Sequence, residues 1–328
     1  MAGAAAAARR VLHAVTPCFR SNGLSARAGC EVWLKMDAIQ PSGSFKLRGL
    51  SRAVQAAAAR GASSIVSSSG GNAGLATAHA ARELGLPFTV FVPESTPGAV
   101  VGKLQAYGAT AIVHGASWDD ANERAKEEAA ASGGELIHPF DQPDVWQGNA
   151  SLVHELVSDL PAKPSTIVTV CGGGGLLMGI LQGLDEVGWS DIPVVVAETV
   201  GADSLSQSLS AGRLVTLPAI TSVAKSLGAR TISESVFARC HDLGAPKVTS
   251  WVTTDAAAVR ACGTFLDDHR VMVEPACGAG LAAVYEQASL VADAGPGDLV
   301  LVQVCGGALM DSAALTAMRS ELGVEANY

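Results

Sequence analysis

The amino-acid sequence predicts an α/β fold built on parallel sheet, and three observations carry that prediction. Short β-branched runs alternate along the chain with Ala-rich stretches of helical period. Glycine clusters stand where strands give way to helices. Neither an internal repeat nor a long linker interrupts the pattern. Such alternation calls for crossover helices, because parallel neighbours cannot be joined by a tight hairpin.

In chain order, strands are expected at residues 32–36, 64–67, 88–92, 111–114, 167–171, 194–198 and 300–305, each a short buried run. Helices are expected at residues 73–84, stopped by Gly85, and at 117–131, a charged amphipathic stretch ending at Gly133-Gly134. A third, 176–187, follows a run of glycines. Two prolines in H-P-F-D-Q-P-D break the pattern at residues 138–144, and an earlier crossing lies near residues 37–41. The chain is therefore expected to form a large domain, residues 1–38 and 144–328, with a small domain, residues 39–143, inserted in it.

Composition narrows the function classes. The 328 residues suffice for two compact domains, and with 16% charged residues and 36 glycines the chain suits close-packed layers and tight turns. A formal net charge of −9 excludes a nucleic-acid partner, which would need clustered Lys and Arg, and it disfavours an anionic membrane surface. No stretch approaches the roughly 18 to 20 apolar residues that cross a bilayer. The seven cysteines are scattered singly, which suggests neither a disulfide framework nor a thiolate zinc site and points to the reducing cytoplasm. The N-terminal MAGAAAAARR has a faint transit-peptide composition, but domain-like sequence begins near His13 and leaves little to cleave.

Four constellations carry chemistry. Pro41-Ser42-Gly43-Ser44-Phe45-Lys46 is a small-residue turn that delivers one lysine to the start of a helix. A lysine in a turn is ordinarily a solvated charge; buried, its amine becomes a nucleophile toward aldehydes. Ser67 to Gly74, SSSGGNAG, lies between a strand and a helix and suits a carboxylate or other anion, although in isolation a plain turn capped by Asn72 is the better reading. Cys171 is followed by four glycines, Gly172 to Gly175, where a phosphate can approach several backbone amides. No Gly-Lys-Ser/Thr follows, and Leu177 stands where a dinucleotide fingerprint needs its third glycine, so a small phosphorylated cofactor fits better than a nucleotide. The fourth is Cys305, at the carboxyl end of a late strand, where it is either a ligand contact or a small buried apolar residue.

Together PSGSFKLRG, SSGGNAG and CGGGGLL, with PFDQPDVWQGNASLV, TSVAKSLGA and VEPACGAGLAA, resemble the fold-type II pyridoxal-phosphate enzymes, most closely the serine/threonine dehydratase branch of the liver type. The likeness runs from His13 to the region of Leu322. It implies two open, twisted, mostly parallel sheets flanked by helices, and the deamination of L-serine to pyruvate and of L-threonine to 2-oxobutyrate, each with ammonia. It implies pyridoxal 5'-phosphate bound covalently by Lys46, which then removes the substrate Cα proton, with Phe45 beside the ring and Asn72 on its phenolic oxygen. Gly172, Gly173, Gly174 and Gly175 would hold the phosphate. Ser68, Ser69, Gly70, Gly71, Asn72, Ala73 and Phe140 would surround the substrate, with Ser69 also counted in the catalytic set. Cys305 would face the pyridine nitrogen as a neutral thiol, making the ring a weak electron sink. A monovalent cation, usually potassium, is implied among the backbone oxygens of Gly172, Ala202, Leu227 and Ala229, with Glu198 nearby. Family members of this size are commonly homodimers, and the same is expected here.

Two positions depart from the pattern. Gly70 stands where many serine dehydratases carry Ala, which loosens the backbone by about 0.5 to 1 kcal/mol of entropy. Ser226 stands where the liver enzymes often carry Ala, and its hydroxyl is a candidate to reprotonate Cα from the face opposite Lys46, as in racemases, or a polar filler. The alternatives to a deaminating lyase are a serine racemase or β-replacement enzyme of the same fold, whose members generally have Ser at the place of Cys305, and a cofactor-binding protein with little turnover. The histidines form no metal-binding spacing, and the acidic run from Asp119 to Glu128 reads as a solvated helix face.

Overall fold

A computed structural model describes residues 11–241, 247–286, 291 and 294–324; the Ala/Arg-rich N-terminal stretch lies outside them. Among the described residues the strands are β1 Cys18–Arg20, β2 Glu31–Lys35, β3 Ile65–Ser67, β4 Phe88–Val92, β5 Thr110–Val113, β6 Glu135–Leu136, β7 Thr166–Val170, β8 Val194–Thr199, β9 Val248–Thr253 and β10 Leu299–Gln303. The seven expected strands form within a residue or two of the expected bounds. The other three escaped the pattern for local reasons. β1 and β6 are only three and two residues long. β9 interleaves Thr and Ser with its apolar residues and is only half-buried.

The described chain divides into two compact units, one holding residues 11–14 and 40–149, the other 15–39 and 150–324. The second division falls inside the helix Pro143–Asp159. Its proline occupies the first helical position, where the missing N–H costs nothing and the fixed φ favours helix. Of the two prolines in residues 138–144, Pro143 thus starts a helix, while Pro139 stays in the loop before it.

In the first unit four strands lie in the order β5-β4-β3-β6, all parallel. Helices Asn72–Glu83, Gly98–Ala106 and Trp118–Ser132 supply the crossovers. The last has a reciprocal capping box between Ser117 and Asp120 and ends at Gly133 in the left-handed conformation. Its Ala121 and Ala125 pack on Val66 and Phe91 of the sheet. Helix Lys46–Ala59 approaches helix Pro143–Asp159 so closely that a Cβ on Gly148 would lie 2.4 Å from the Arg48 carbonyl oxygen. That contact anchors the helix whose first residue is Lys46.

In the second unit six strands run β1-β2-β10-β7-β8-β9, parallel except for the antiparallel β1-β2 pair. β7, β8 and β10 are buried along their whole length, as strands covered on both faces are. Lys35, at the end of β2, is fully buried, and its ammonium donates to the Thr16 carbonyl at 2.8 Å and meets Glu155 and Asp159 at 2.6 Å each. Beyond it, buried Asp37 accepts from Thr16 Oγ1 at 2.9 Å and from Gln303 Nε2 at 3.2 Å, which fastens the end of β2 to β10. β10 and β7 are direct parallel neighbours, Val302 opposite Val168. The segments leaving their carboxyl ends therefore emerge side by side, where open α/β sheets gather ligands.

Candidate active site

The lysine half lies at the carboxyl edge of the small sheet. Gly43 takes φ 79° in the turn that precedes Lys46, the first residue of helix Lys46–Ala59. The half-buried Lys46 donates from Nζ to the Pro139 carbonyl at 3.0 Å, and its ammonium stands 5.3 Å from the centre of the Phe45 ring. The hydroxyls of Ser42 and Ser44 are buried in that turn without a protein hydrogen-bond partner. Buried hydroxyls are seldom left so, and a polar ligand is one of the few things that explains them.

β3 leads directly into the SSSGGN loop, and β6, its parallel neighbour, leads into Ile137–Phe140. Adjacency of these two strands thus brings Ser68 to Ala73, Phe140 and the partner carbonyl of Lys46 to one edge. Asn72 is buried at the first position of helix Asn72–Glu83, with Gly71 as its extended N-cap. The Ser69 hydroxyl accepts from Gly71 N–H at 3.4 Å. The following turn requires glycine at position 74, where a Cβ would stand 1.9 Å from the Ser69 carbonyl oxygen. Ser68 behaves differently from its neighbours: its side chain is buried and donates to Asn122 Oδ1 at 2.8 Å, which turns the hydroxyl toward helix Trp118–Ser132.

The glycine half follows β7. Gly172 and Gly173 lead to Gly174 at φ 95°, the N-cap of helix Gly175–Glu186. A Cβ at Gly174 would lie 2.7 Å from Val236. The first turn of a helix leaves backbone N–H groups with no intrahelical acceptor and carries the positive end of the dipole. An anion is therefore favoured here without any cationic side chain. Beside this loop, after β10, Cys305 is buried. Its hydrogen bond with Cys277 first, and then burial, push the thiol well above its ordinary value, so it is a neutral S–H.

The remaining positions also lie in the second unit. Gly172 packs near residues 226 and 227, since a Cβ there would meet the Ser226 carbonyl at 3.2 Å and Leu227 Cα at 3.3 Å. Ala202 is buried and closes a turn with Thr199, while the Leu227 carbonyl accepts from Ala229 N–H at 2.8 Å. Glu198 is buried at the start of helix Ser204–Ala211, accepting from Leu205 and Ser206 N–H at 3.0 and 2.8 Å. Burial pushes its carboxyl up to about 7 against those hydrogen bonds. Ser226 donates its hydroxyl proton to Glu274 Oε2 at 2.5 Å, and the other oxygen of Glu274 accepts from Leu309 N–H at 2.7 Å. Among the described residues no group of three or more His, Cys, Asp or Glu side chains is placed to hold a metal ion, and no helix is long and apolar enough to cross a membrane.

Several participants were invisible in the sequence. Glu274 and Cys277 share VEPACGAG, but only the fold brings them to Ser226 and Cys305. The Pro139 carbonyl has no side-chain signature at all. His138, dismissed for want of a metal spacing, folds its ring back onto its own loop, an arrangement that spacing does not report.

Comparison with known proteins agrees with this geometry. Residues 10–306 match the family model described as "Pyridoxal-phosphate dependent enzyme". The human protein named "Serine dehydratase-like" is 48% identical over 316 residues, covering 95% of each chain. Mouse "L-serine dehydratase/L-threonine deaminase" is 46% identical over 324 residues, 97% of this chain and 98% of that one. Among solved structures, a fungal L-serine ammonia-lyase from Rhizomucor miehei superposes with a TM-score of 0.87 at 32% identity, covering 95% of this chain and 100% of the other. A lysine opening a helix at the carboxyl edge of a parallel sheet, a glycine-lined helix start and a model match over most of the chain lead to one conclusion: this chain belongs to the pyridoxal-phosphate-dependent enzyme family.

Proposed function

We propose that this chain is a pyridoxal-phosphate-dependent ammonia-lyase that converts L-serine to pyruvate and ammonia and L-threonine to 2-oxobutyrate and ammonia. The observation that carries the reading is the half-buried Lys46 amine, held by a carbonyl at the sheet edge where the SSSGGN loop also emerges. The residues present fit the cofactor. Ser42 and Ser44 leave buried hydroxyls beside the lysine, and the Gly172–Gly175 cradle has no room for a Cβ at its turn. Identity of 46–48% to a serine dehydratase-like protein and to a named serine dehydratase/threonine deaminase supports the substrate class.

When bound, pyridoxal phosphate supplies an electron sink for charge leaving the substrate Cα. The Lys46 amine would hold the cofactor and, once displaced by the substrate amine, take the Cα proton as a base. Phe45 would lie beside the ring, Asn72 would bind the phenolic oxygen, and the amides of Gly172 to Gly175 the phosphate. Ser69, Gly70, Gly71 and Ala73 would hold the substrate carboxylate at a helix start, with Phe140 also contacting the substrate. Ser68 would contribute its backbone, since its hydroxyl serves Asn122. Cys305, a neutral thiol, would leave the pyridine nitrogen unprotonated, which favours prompt loss of the β-hydroxyl over a long-lived carbanion. The direction of the Ser226 proton toward Glu274 tells against a racemase-like donor at that position. Backbone oxygens of Gly172, Ala202, Leu227 and Ala229 would take a monovalent cation, hard donors suiting a hard ion. A cytoplasmic homodimer completes the reading, checked by sedimentation and by fractionation.

The test is release of pyruvate from L-serine and 2-oxobutyrate from L-threonine by purified protein loaded with pyridoxal phosphate, with the borohydride-reduced adduct mapped by mass. D-serine as product without pyruvate would overturn the lyase reading, and an adduct on another lysine would overturn the site.

A further inference from the structure

The loop that receives Lys46 is organised by a side chain that the proposed chemistry does not use. His138 Nδ1 accepts the backbone N–H of Asp141 at 2.8 Å and, more weakly, that of Phe140 at 3.4 Å. Its ring stands edge-on to Phe140, centroids 4.7 Å apart at 80°. The loop is braced further by Gln142 Oε1, which accepts from His138 N–H at 3.3 Å, and by Trp146 Nε1, which donates to the Phe140 carbonyl at 2.9 Å.

The peptide between Pro139 and Phe140 makes the connection. It is planar and trans, so its C=O and N–H point in opposite directions. Drawing the Phe140 N–H toward His138 Nδ1 turns the Pro139 carbonyl the other way, and that carbonyl accepts from Lys46 Nζ at 3.0 Å. An imidazole nitrogen accepts hydrogen bonds only when it carries no proton. Burial, the largest influence, with Lys46 and Lys126, lowers the His138 pKa below its ordinary value, and Asp141 opposes them. These are the charged groups that face the ring from its own loop, from the helix of Lys46 and from helix Trp118–Ser132.

We propose that His138 is a positioning residue for the lysine: as a neutral imidazole with an unprotonated Nδ1 it fixes the Pro139–Phe140 peptide, and through the Pro139 carbonyl it orients the Lys46 amine. The carbonyl takes one N–H of that amine, and the lone pair is left in a defined direction for attack on an aldehyde or for a Cα proton. Protonation of His138 turns Nδ1 into a donor facing two other donors, releases the peptide and sets a second positive charge beside Lys46. The lysine then loses its orientation as the pH falls. This inference rests on Lys46 being the cofactor lysine.

The test uses the full-length holoenzyme and two variants. In His138→Phe the ring and its contact with Phe140 remain but the acceptor is gone; His138→Asn restores an acceptor that does not titrate. Per mole of bound cofactor, His138→Phe should lower kcat for L-serine by about tenfold while leaving KM within about twofold. His138→Asn should recover most of that loss and flatten the acid limb of the pH profile. Nitrogen chemical shifts of the His138 ring, followed between about pH 5 and 8, should show Nε2 protonated and Nδ1 bare until the acid limb is reached. A His138→Phe enzyme with wild-type kcat and pH profile, or a ring protonated on Nδ1 at neutral pH, overturns the inference. If His138→Phe does not fold, the His138→Asn profile and the nitrogen shifts decide alone. A reduced adduct on Lys46 with unchanged variant kinetics overturns this inference only, whereas an adduct on another lysine overturns the reading of Lys46 and the inference with it.

Discussion

The two units solve different problems with different parts of the chain. Around Lys46 the polar groups are largely side chains, set beside the Pro139 carbonyl: an ammonium, an imidazole nitrogen, the buried hydroxyls of Ser42 and Ser44, and Asn72. Around Gly174 they belong to the backbone, a glycine turn opening a helix, with a thiol whose proton is firmly held. The lysine half can move protons and respond to pH. The glycine half binds and shapes through backbone and a protonated thiol, although the buried Glu198 of the same unit, its carboxyl pushed up to about 7, also responds to pH. Reaction control should therefore be concentrated in the small-sheet unit, and affinity for the cofactor in the other.

The largest effect that would break this contrast is at Lys46. Lys46→Ala should lower turnover of L-serine by at least about 10³-fold and abolish the borohydride-reduced cofactor adduct at that position, while the folding midpoint stays near wild type. Survival of turnover would remove the lysine half from the chemistry. Next comes Gly174→Ala, where the left-handed backbone and the contact with Val236 both resist a side chain. Strain of about 1 to 3 kcal/mol should weaken the cofactor Kd roughly ten- to hundredfold, read by titration of the apoprotein, with kcat of the saturated enzyme little changed. A fall in kcat instead would place reaction control in the glycine half.

Cys305→Ala should have a smaller effect, within about tenfold in kcat, with the shape of the pH profile unchanged because the thiol carries its proton throughout. A changed profile would show that the thiol takes part in the titration after all. The smallest effect is on acid stability. The folded pKa of His138 lies below the ordinary 6.5, so the unfolded chain binds more protons in the interval between the two values. The contribution of His138 to stability is fully present above 6.5 and declines as the pH falls toward the folded value. Denaturant midpoints of wild type should drop more over that interval than those of His138→Asn.

Much of this was legible in advance, and what was not has identifiable causes. Runs such as VTV before Cys171 and LVLVQ before Val304 could scarcely be anything but buried strands, and glycines at 133 and 174 marked a helix end and a helix start. Lys46 could be found because its turn and the two glycine loops together resemble the pattern of one enzyme family, whereas a lysine in a turn alone reads as a solvated charge. The Asn122 partner of Ser68, the Glu274 partner of Ser226 and the Cys277 partner of Cys305 come from distant chain segments. No local pattern encodes such pairings. His138 is the opposite case: its partners lie two and three residues away, yet its role depends on which ring nitrogen faces a peptide plane.

The strand order of the large sheet has a consequence for how the chain is made. Glu31 pairs with Leu299 and Lys35 with Gln303, so β2 finds its parallel neighbour only after residues 299–303 have emerged from the ribosome. The small sheet needs nothing beyond Leu136 for its own ladder. Contacts between segments so remote in sequence form slowly, and unpaired strands are hazards while they wait. β2 should thus be a site where chaperones engage the nascent chain, and a ribosome stalled before residue 299 should carry a finished small sheet and a β2 paired only with β1.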